Sequence, residues 1–152
     1  MLLEQRGYLS QSENREKYRL TLGIFRMAQE HPPTSRLITE SLPLMHGVAH
    51  ELRQSCHLGL LDVGYMVILA QVDAPESTGL HVKMGSKMEL MQSATGHVIL
   101  AYQSEDLCWY ALKEWARETQ RKKPAELDAR LAKERRRGYE TCASLQVKGV
   151  VN

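Results

Sequence analysis

The sequence is short of the marks that identify most enzymes and membrane proteins, and each shortage narrows what it can be. Cysteine is scarce, with Cys56, Cys108 and Cys142 odd in number and widely spaced. That pattern argues against a disulfide framework and points to a reducing cytosol. Neither sign of charge is in excess: 20 basic residues meet 18 acidic ones, for a net charge of +2. A chain so balanced gives no electrostatic reason for strong nucleic-acid binding by itself. No apolar run reaches the ~18 residues needed to span a bilayer, and the first residues lack a signal-peptide pattern. A cytoplasmic protein with no membrane contact is therefore expected. The G-x-S-x-G elbow, the P-loop and the dinucleotide fingerprint are also missing. No catalytic residue is assigned, no cofactor is expected, and the chain reads as something other than an enzyme.

What is present is 152 residues, 43% of them hydrophobic. That is one domain by size, able to bury ~70% of the surface its unfolded chain exposes. The most informative stretch is Gly85 to Tyr102, GSKMELMQSATGHVILAY. A Gly-Ser turn leads into a sulfur-rich apolar segment, then into small residues from Ser93 onward. Ser93 is a good helix N-cap, because its hydroxyl can accept from amides one turn on. A helix starting there points the amides of Ala94, Thr95 and Gly96 outward at its positive end, where an anion can approach small side chains closely. Leu80, Val82, Met88, Leu90 and Met91 can supply apolar walls. The same small residues are equally what a buried helix uses to pack closely, and that alternative stays open on spacing alone.

In chain order, Gly7–Leu9 and Lys17–Leu20 read as strands of a hairpin around a polar turn. Thr21 to Glu30 is a short amphipathic helix stopped by Pro32-Pro33. Ser35 to Ser55 is a longer helical pattern that Pro43 should kink or divide, with Ser41 a cap for its second part. Cys56–Val63 and Tyr65–Val72 form a β-hairpin around Asp62-Val63-Gly64, and the nearly all-apolar YMVILAQV suggests cover on both faces. Leu80–Met84 is a third strand. Ser104 caps a helix to about Thr119, with Leu107, Tyr110, Ala111, Leu112 and Trp115 inward. Pro124 begins the next helix, Ala125 to Arg137, ended by Gly138, and the residues after it are strand-like. This order argues for an α+β fold, helices packed on a mainly antiparallel sheet.

The Gly85–Ala101 stretch resembles G-S-x-x-P-L-H-A-T-A-x-G-K-A-x-L-A of the IclR family of bacterial transcriptional regulators. Gly85, Ser86, Leu90, Ala94, Gly96, Leu100 and Ala101 match and Ser93 stands for threonine, while Glu89 replaces proline, Met91-Gln92 replace His-Ala and His97 replaces lysine. Gly7-Tyr8-Leu9, a polar turn and Tyr18-Arg19-Leu20 resemble the wing of the family's winged helix-turn-helix. Arg135, Gly138, Tyr139, Ser144, Gln146, Gly149 and Val150 resemble its later R-x-x-G-Y and S-x-Q-x-x-G-V pattern.

The resemblance implies a GAF-like effector-binding domain over residues 34–152, preceded by a linker helix with its Pro-Pro break (21–33) and a winged-helix remnant (1–20). Recognition helices would precede this chain and further strands would follow it, so truncation at both ends is expected. Also implied are a small organic acid as effector, bound around Leu80, Ala94 and Thr95, with Cys142 near where some members carry an acidic residue. Operator DNA would meet the wing at Ser10, Ser12, Asn14, Arg15 and Lys17 in the intact protein, and the protein would self-associate as a dimer or tetramer. The alternative is a stand-alone GAF-like small-molecule binder that never contacts DNA.

Three further constellations have plainer roles. His46 and His50 stand at i and i+4 with Cys56 and His57 downstream, but Glu51 follows the second histidine, so the H-E-x-x-H order is absent. They read as helix-flank histidines, and no metal site is assigned. Lys133 to Arg137, KERRR, reads as a solvated helix end complementing the dipole. Trp109, Tyr110 and Trp115 read as core or subunit contact.

Overall fold

The computed structural model describes residues 2–12, 17–29, 32–75 and 82–143. It separates into two compact units, Met1–Pro43 and Leu44–Asn152. In the first, a short helix α1 (Leu2–Gln5) precedes strands β1 (Leu9–Gln11) and β2 (Tyr18–Leu20). The strands pair antiparallel, with Leu9 opposite Leu20 and Gln11 opposite Tyr18. Ser12 closes the ladder: its amide donates to the Lys17 carbonyl at 2.9 Å, and its hydroxyl accepts from the Lys17 amide at 3.3 Å. Helix α2 (Leu22–Gln29) follows, its first turn tied down by the Gly23 amide donating to Thr21 Oγ1 at 3.1 Å.

Helix α3 runs from Pro32 to Leu52, with Pro43 inside it. The expected division at Pro43 does not occur. Proline removes one hydrogen bond to the carbonyl four residues back, but Thr39 and Pro43 are both exposed, so water can take the freed carbonyl.

The second unit is built on an antiparallel sheet in the order β3 (Cys56–Asp62), β4 (Tyr65–Val72), β5 (Lys87–Glu89). The hairpin β3–β4 turns tightly, Asp62 pairing with Tyr65 across Val63-Gly64. The left-handed φ of 57° falls on Val63 rather than on the glycine. Gly64 is used for something else, because a Cβ there would stand 2.6 Å from the Trp115 backbone nitrogen. Strand β4 alternates strictly between buried and half-buried residues, so one face is sealed and the other only partly covered, against the expectation of full cover on both.

The third strand is also displaced from its expected position. Val82–Met84 is not a strand, and Leu80 lies outside the described residues. The chain instead turns at Lys83–Ser86, with Gly85 at φ 77°, before β5 pairs with β4. A left-handed glycine ends an extended run, and hydrogen bonding to β4 starts at Gly85 itself, whose amide donates to the Ile68 carbonyl at 2.8 Å.

A single 3-10 turn (Leu90–Gln92) leads to α4 (Ala94–Ala101), followed by α5 (Glu105–Thr119) and α6 (Leu127–Arg137). Ser104 Oγ accepts from the Leu107 amide at 3.4 Å and starts α5. Its inward stripe is Cys108, Ala111, Leu112, Trp115 and Ala116. Leu107 and Tyr110 are exposed, contrary to expectation, because at 100° per residue they fall beyond the edge of that stripe.

Helix α6 begins at Leu127 instead of Ala125, after a turn in which the Leu127 amide donates to the Pro124 carbonyl. It ends at Gly138, φ 82°, whose amide donates to the Glu134 carbonyl at 2.8 Å. Beyond it the described residues form no strand, only an isolated bridge at Ala143; the rest of the expected strand-like tail lies outside the described residues. Met66 and Ile68 from β4, Leu90, Leu100 from α4, Trp115 from α5 and Leu127 and Leu131 from α6 form one core. No helix among the described residues is long and apolar enough to cross a membrane.

Candidate functional site

The core takes up α4 chiefly through Leu100 and Ala101 near its C-terminal end, and the two ends of the helix carry distinct chemistry. At the start, Ser93 is extended (φ −131°, ψ 141°) and its hydroxyl accepts from the Gly96 amide at 3.0 Å. The preceding turn is fixed by Glu89, whose carboxylate accepts from the Met91 amide at 2.9 Å and from the Trp115 indole. In the sequence Glu89 stands out only as a departure from the family's proline. Its role here is to join β5, the 3-10 turn and α5.

Gly96 answers to packing. A Cβ on it would stand 2.8 Å from Leu90 Cα and would collide with the Leu90 carbonyl. With the Gly96 amide taken by Ser93, the amides left to meet an anion in that turn are those of Ala94 and Thr95.

Thr95 faces β3. Its hydroxyl lies 3.5 Å from His57 Nε2, and burial pushes the His57 imidazole below its ordinary pKa. A neutral imidazole and a hydroxyl therefore sit together at the positive end of the helix. His57 was missed as a partner of this helix, because no local spacing links residues 38 positions apart.

The other expected wall residues divide. Val82, Met88 and Met91 are half-buried and rest against the core, whereas Leu90 is completely enclosed in it. Leu80 lies outside the described residues, and Cys142 is half-buried beyond α6. Of the residues expected to meet DNA in a wing, Ser10 and Lys17 are exposed and Ser12 is half-buried, while Asn14 and Arg15 lie outside the described residues.

At its other end α4 meets a cavity of about 650 Å³ shared with α5 and α6. Leu100, Ala101, Cys108, Leu112, Ala116 and Leu131 give it apolar walls, with Lys113, Lys123, Asp128 and Arg135 among its charged residues. Lys123 and Asp128 pair at 2.6 Å. Burial raises the pKa of the Cys108 thiol, which keeps it protonated and unsuited to nucleophilic attack.

One turn into α4, His97 is buried toward α6 and the residues after it. Its ring, Glu134 and Glu140 present donor atoms within 4.8 Å of one another. Arg130 Nε lies 3.0 Å from Glu134 and 3.3 Å from Glu140. The basic run KERRR is thus a solvated face except at its glutamate, which is only 1% exposed. The signal was in the sequence: Leu127, Leu131 and Glu134 lie on one helical stripe. His46 and His50 are both exposed.

Comparison with known proteins follows the same outline. The C-terminal domain of the bacterial transcriptional regulator IclR matches residues 33–151. The HTH-type transcriptional regulator KdgR of Escherichia coli K12 is 28% identical over 117 residues, 76% of this chain and 44% of that protein. KdgR of Dickeya chrysanthemi is 28% identical over 100 residues, 66% of this chain and 33% of its own length. The chain therefore spans less than half of these relatives. Among solved structures, an IclR-type regulator from Silicibacter sp. TM1040 superposes with a TM-score of 0.71 at 22% identity, covering 89% of this chain and 55% of that one. An IclR homolog from Microbacterium hydrocarbonoxydans, solved in complex with 4-hydroxybenzoate, superposes with a TM-score of 0.70 at 19% identity, covering 98% and 62%.

Proposed function

The chain belongs to the IclR family of bacterial transcriptional regulators, and from that premise we propose that residues 34–152 are its effector-binding part, taking a small organic acid at the start of α4. The observation that carries this reading is the pairing of a Ser93-capped helix start with Thr95 and His57, at 3.5 Å, on the side of β3. A carboxylate there meets the Ala94 and Thr95 amides, the positive end of the helix dipole and the Thr95 hydroxyl. Neutral His57 donates or accepts according to tautomer and so reads a hydroxyl on the acid as well as its carboxylate. The apolar body of the acid lies against Val82, Met88 and Met91. That an IclR homolog was solved with 4-hydroxybenzoate makes this compound the first probe.

We place the protein in the cytoplasm, where such a regulator and its DNA meet. In the intact protein the β1–β2 hairpin contacts operator DNA as a wing, α2 links it to the effector domain, and effector binding alters how a dimer or tetramer sits on the operator. Sequence readout needs side chains in the major groove, so the wing by itself contributes backbone contacts.

Calorimetric titration with 4-hydroxybenzoate and other small carboxylates, against their amides, tests the site. Ala94→Leu fills the space before the free amides and abolishes carboxylate binding, with circular dichroism unchanged. Ala132→Trp, which blocks the cavity at the other end of α4, leaves binding intact. The reverse pattern places the ligand in the α4–α5–α6 cavity and overturns the assignment. Failure of every carboxylate to bind the parent chain overturns it too.

A further inference from the structure

The group around His97 is poorly explained as an ion pair. Glu134 is 1% exposed and His97 4%. Arg130 satisfies only part of what is buried there. Its Nε reaches Glu134 Oε1 and Glu140 Oε2, while Glu134 Oε2 and His97 Nδ1 remain buried with no hydrogen-bond partner. Glu140 is further held by the Thr141 amide donating to Oε1 at 2.7 Å. Leaving two such atoms unpaired in the interior is costly, because each has lost its water without gaining a partner. A single guanidinium nitrogen cannot reach them both, whereas one small cation between the three side chains can.

We propose that His97, Glu134 and Glu140 form a binding site for a single divalent first-row transition ion, of which Zn²⁺ is the type. One imidazole and two carboxylates suit such an ion better than Mg²⁺ or Ca²⁺, which prefer oxygen alone, and no thiolate is present to select a softer metal. The candidate donor atoms span up to 4.8 Å. Donors around a tetrahedral ion at ~2.1 Å stand roughly 3.4 Å apart, so rotations of about an ångström close the site. Burial first, and then the Arg130 charge, lower the pKa of His97, which keeps its nitrogen lone pair free to ligate. The Arg130 side chain is 40% exposed; as the ion enters, it swings to solvent and the ion takes over neutralisation of the two carboxylates. Water fills the remaining position. The ion would tie the first turn of α4 to α6 and to the segment after Gly138. This proposal is independent of the effector site, since it uses neither Thr95 nor His57.

The test is competition for Zn²⁺ against a chromophoric chelator, with Co²⁺ absorption reporting the coordination sphere. The parent chain is expected to bind one equivalent. His97→Gln and Glu140→Gln each weaken it by at least ~100-fold, since even partners of ligands cost 10–100-fold. The double change His46→Gln, His50→Gln, which removes the exposed helical pair, leaves the tight site unchanged. Glu140 has its side chain at the margin of the cluster, so Glu140→Gln keeps the test open should His97→Gln fail to fold. Tight binding that survives Glu140→Gln, or is lost in the His46, His50 variant, overturns the proposal. So does a parent chain that takes no ion at micromolar concentration.

Discussion

The two units of the chain use similar residues to opposite ends. In Met1–Pro43 no described residue is buried, and all three residues of β2 are exposed. Helix α2 leaves Leu22, Phe25 and Met27 more than half exposed. In Leu44–Asn152 α4, also eight residues long, buries Ala94, Gly96, His97, Leu100 and Ala101. The two helices differ in pattern: α4 is the more apolar and is so nearly all round, as a buried helix is, whereas α2 is amphipathic and carries Arg26 and Gln29. Small residues at points of close approach then decide how closely α4 is covered. Gly96 lets α4 reach the Leu90 turn, and Gly64 lets the β3–β4 turn touch α5. The first unit also brings α2 close at one point, since a Cβ on Gly23 would stand 2.9 Å from the Gly7 carbonyl, yet the larger apolar side chains of α2 stay exposed.

The sharpest way to break this contrast is to truncate one apolar side chain in each unit. Met66 is 0% exposed and sits in the core, while Phe25 is 61% exposed. Met66→Ala is expected to cost ~2–5 kcal/mol through lost burial and the cavity left behind. Phe25→Ala should stay within ~0.5 kcal/mol of the parent at a dilution that prevents association. Urea unfolding followed by Trp fluorescence, which reports Trp109 and Trp115 in the second unit, measures both. Equal losses would mean that the first unit contributes to the core after all.

The same contrast explains how much could be read from sequence. Elements with a local cause were legible: the Ser93 and Ser104 caps, the β3–β4 hairpin, the Gly138 stop. Their determinants lie within a few residues of one another. Long-range causes were not. Nothing near Gly64 says that a backbone 51 residues later will press against it, leaving Val63 to take the left-handed φ. The start of the candidate site was legible because Ser93-Ala94-Thr95-Gly96 is a local signature. Its partner His57 was not, because it arrives on another element. Glu134 was misread for a different reason: four basic neighbours in KERRR outweighed the leucine stripe that points it inward.

A smaller effect should come from pH, and only from the second unit. The described ion pair of the first, Arg36–Glu40, is exposed at 79% and 64%, and such pairs contribute little. Glu134 is pushed up from 4.5 to about 7, by burial first and then by Glu140. Glu140 is held down from 4.5 to about 2, chiefly by the neighbouring Glu134 carboxyl. A raised carboxyl stabilises fully below its unfolded pKa, and that stability is lost as pH rises through the folded value. A lowered one does the opposite, stabilising above its unfolded pKa and losing that as pH falls. With metal removed by chelator, stability should therefore peak near pH 4.5 and fall by ~1–3 kcal/mol toward pH 7 and just above. Glu134→Gln cannot lose a proton and should flatten that fall while leaving the acid side in place. Urea midpoints between pH 4 and pH 8 decide it; a parent curve flat over that range would rule out the raised Glu134 carboxyl.

The smallest change in stability should accompany the clearest change in assembly. Leu22 and Phe25, three residues apart, leave an exposed apolar face on α2. A helix face of this kind is stable in water when a second surface takes it up, and a second copy of the same helix is the partner always at hand. Dimers or larger species are therefore expected by light scattering at micromolar concentration. Phe25→Asp places a charge in that face, and two copies meeting there bring two like charges together without a counter-ion. The expected result is at least ~10-fold weaker association, about 1.4 kcal/mol, with the urea midpoint of the second unit unmoved. An exposed charge on the second unit, Lys113→Asp, serves as the control and should leave the mass distribution as in the parent. If Phe25→Asp also leaves it so, copies do not meet through α2, and the exposure of its apolar face must be explained by a partner other than this chain.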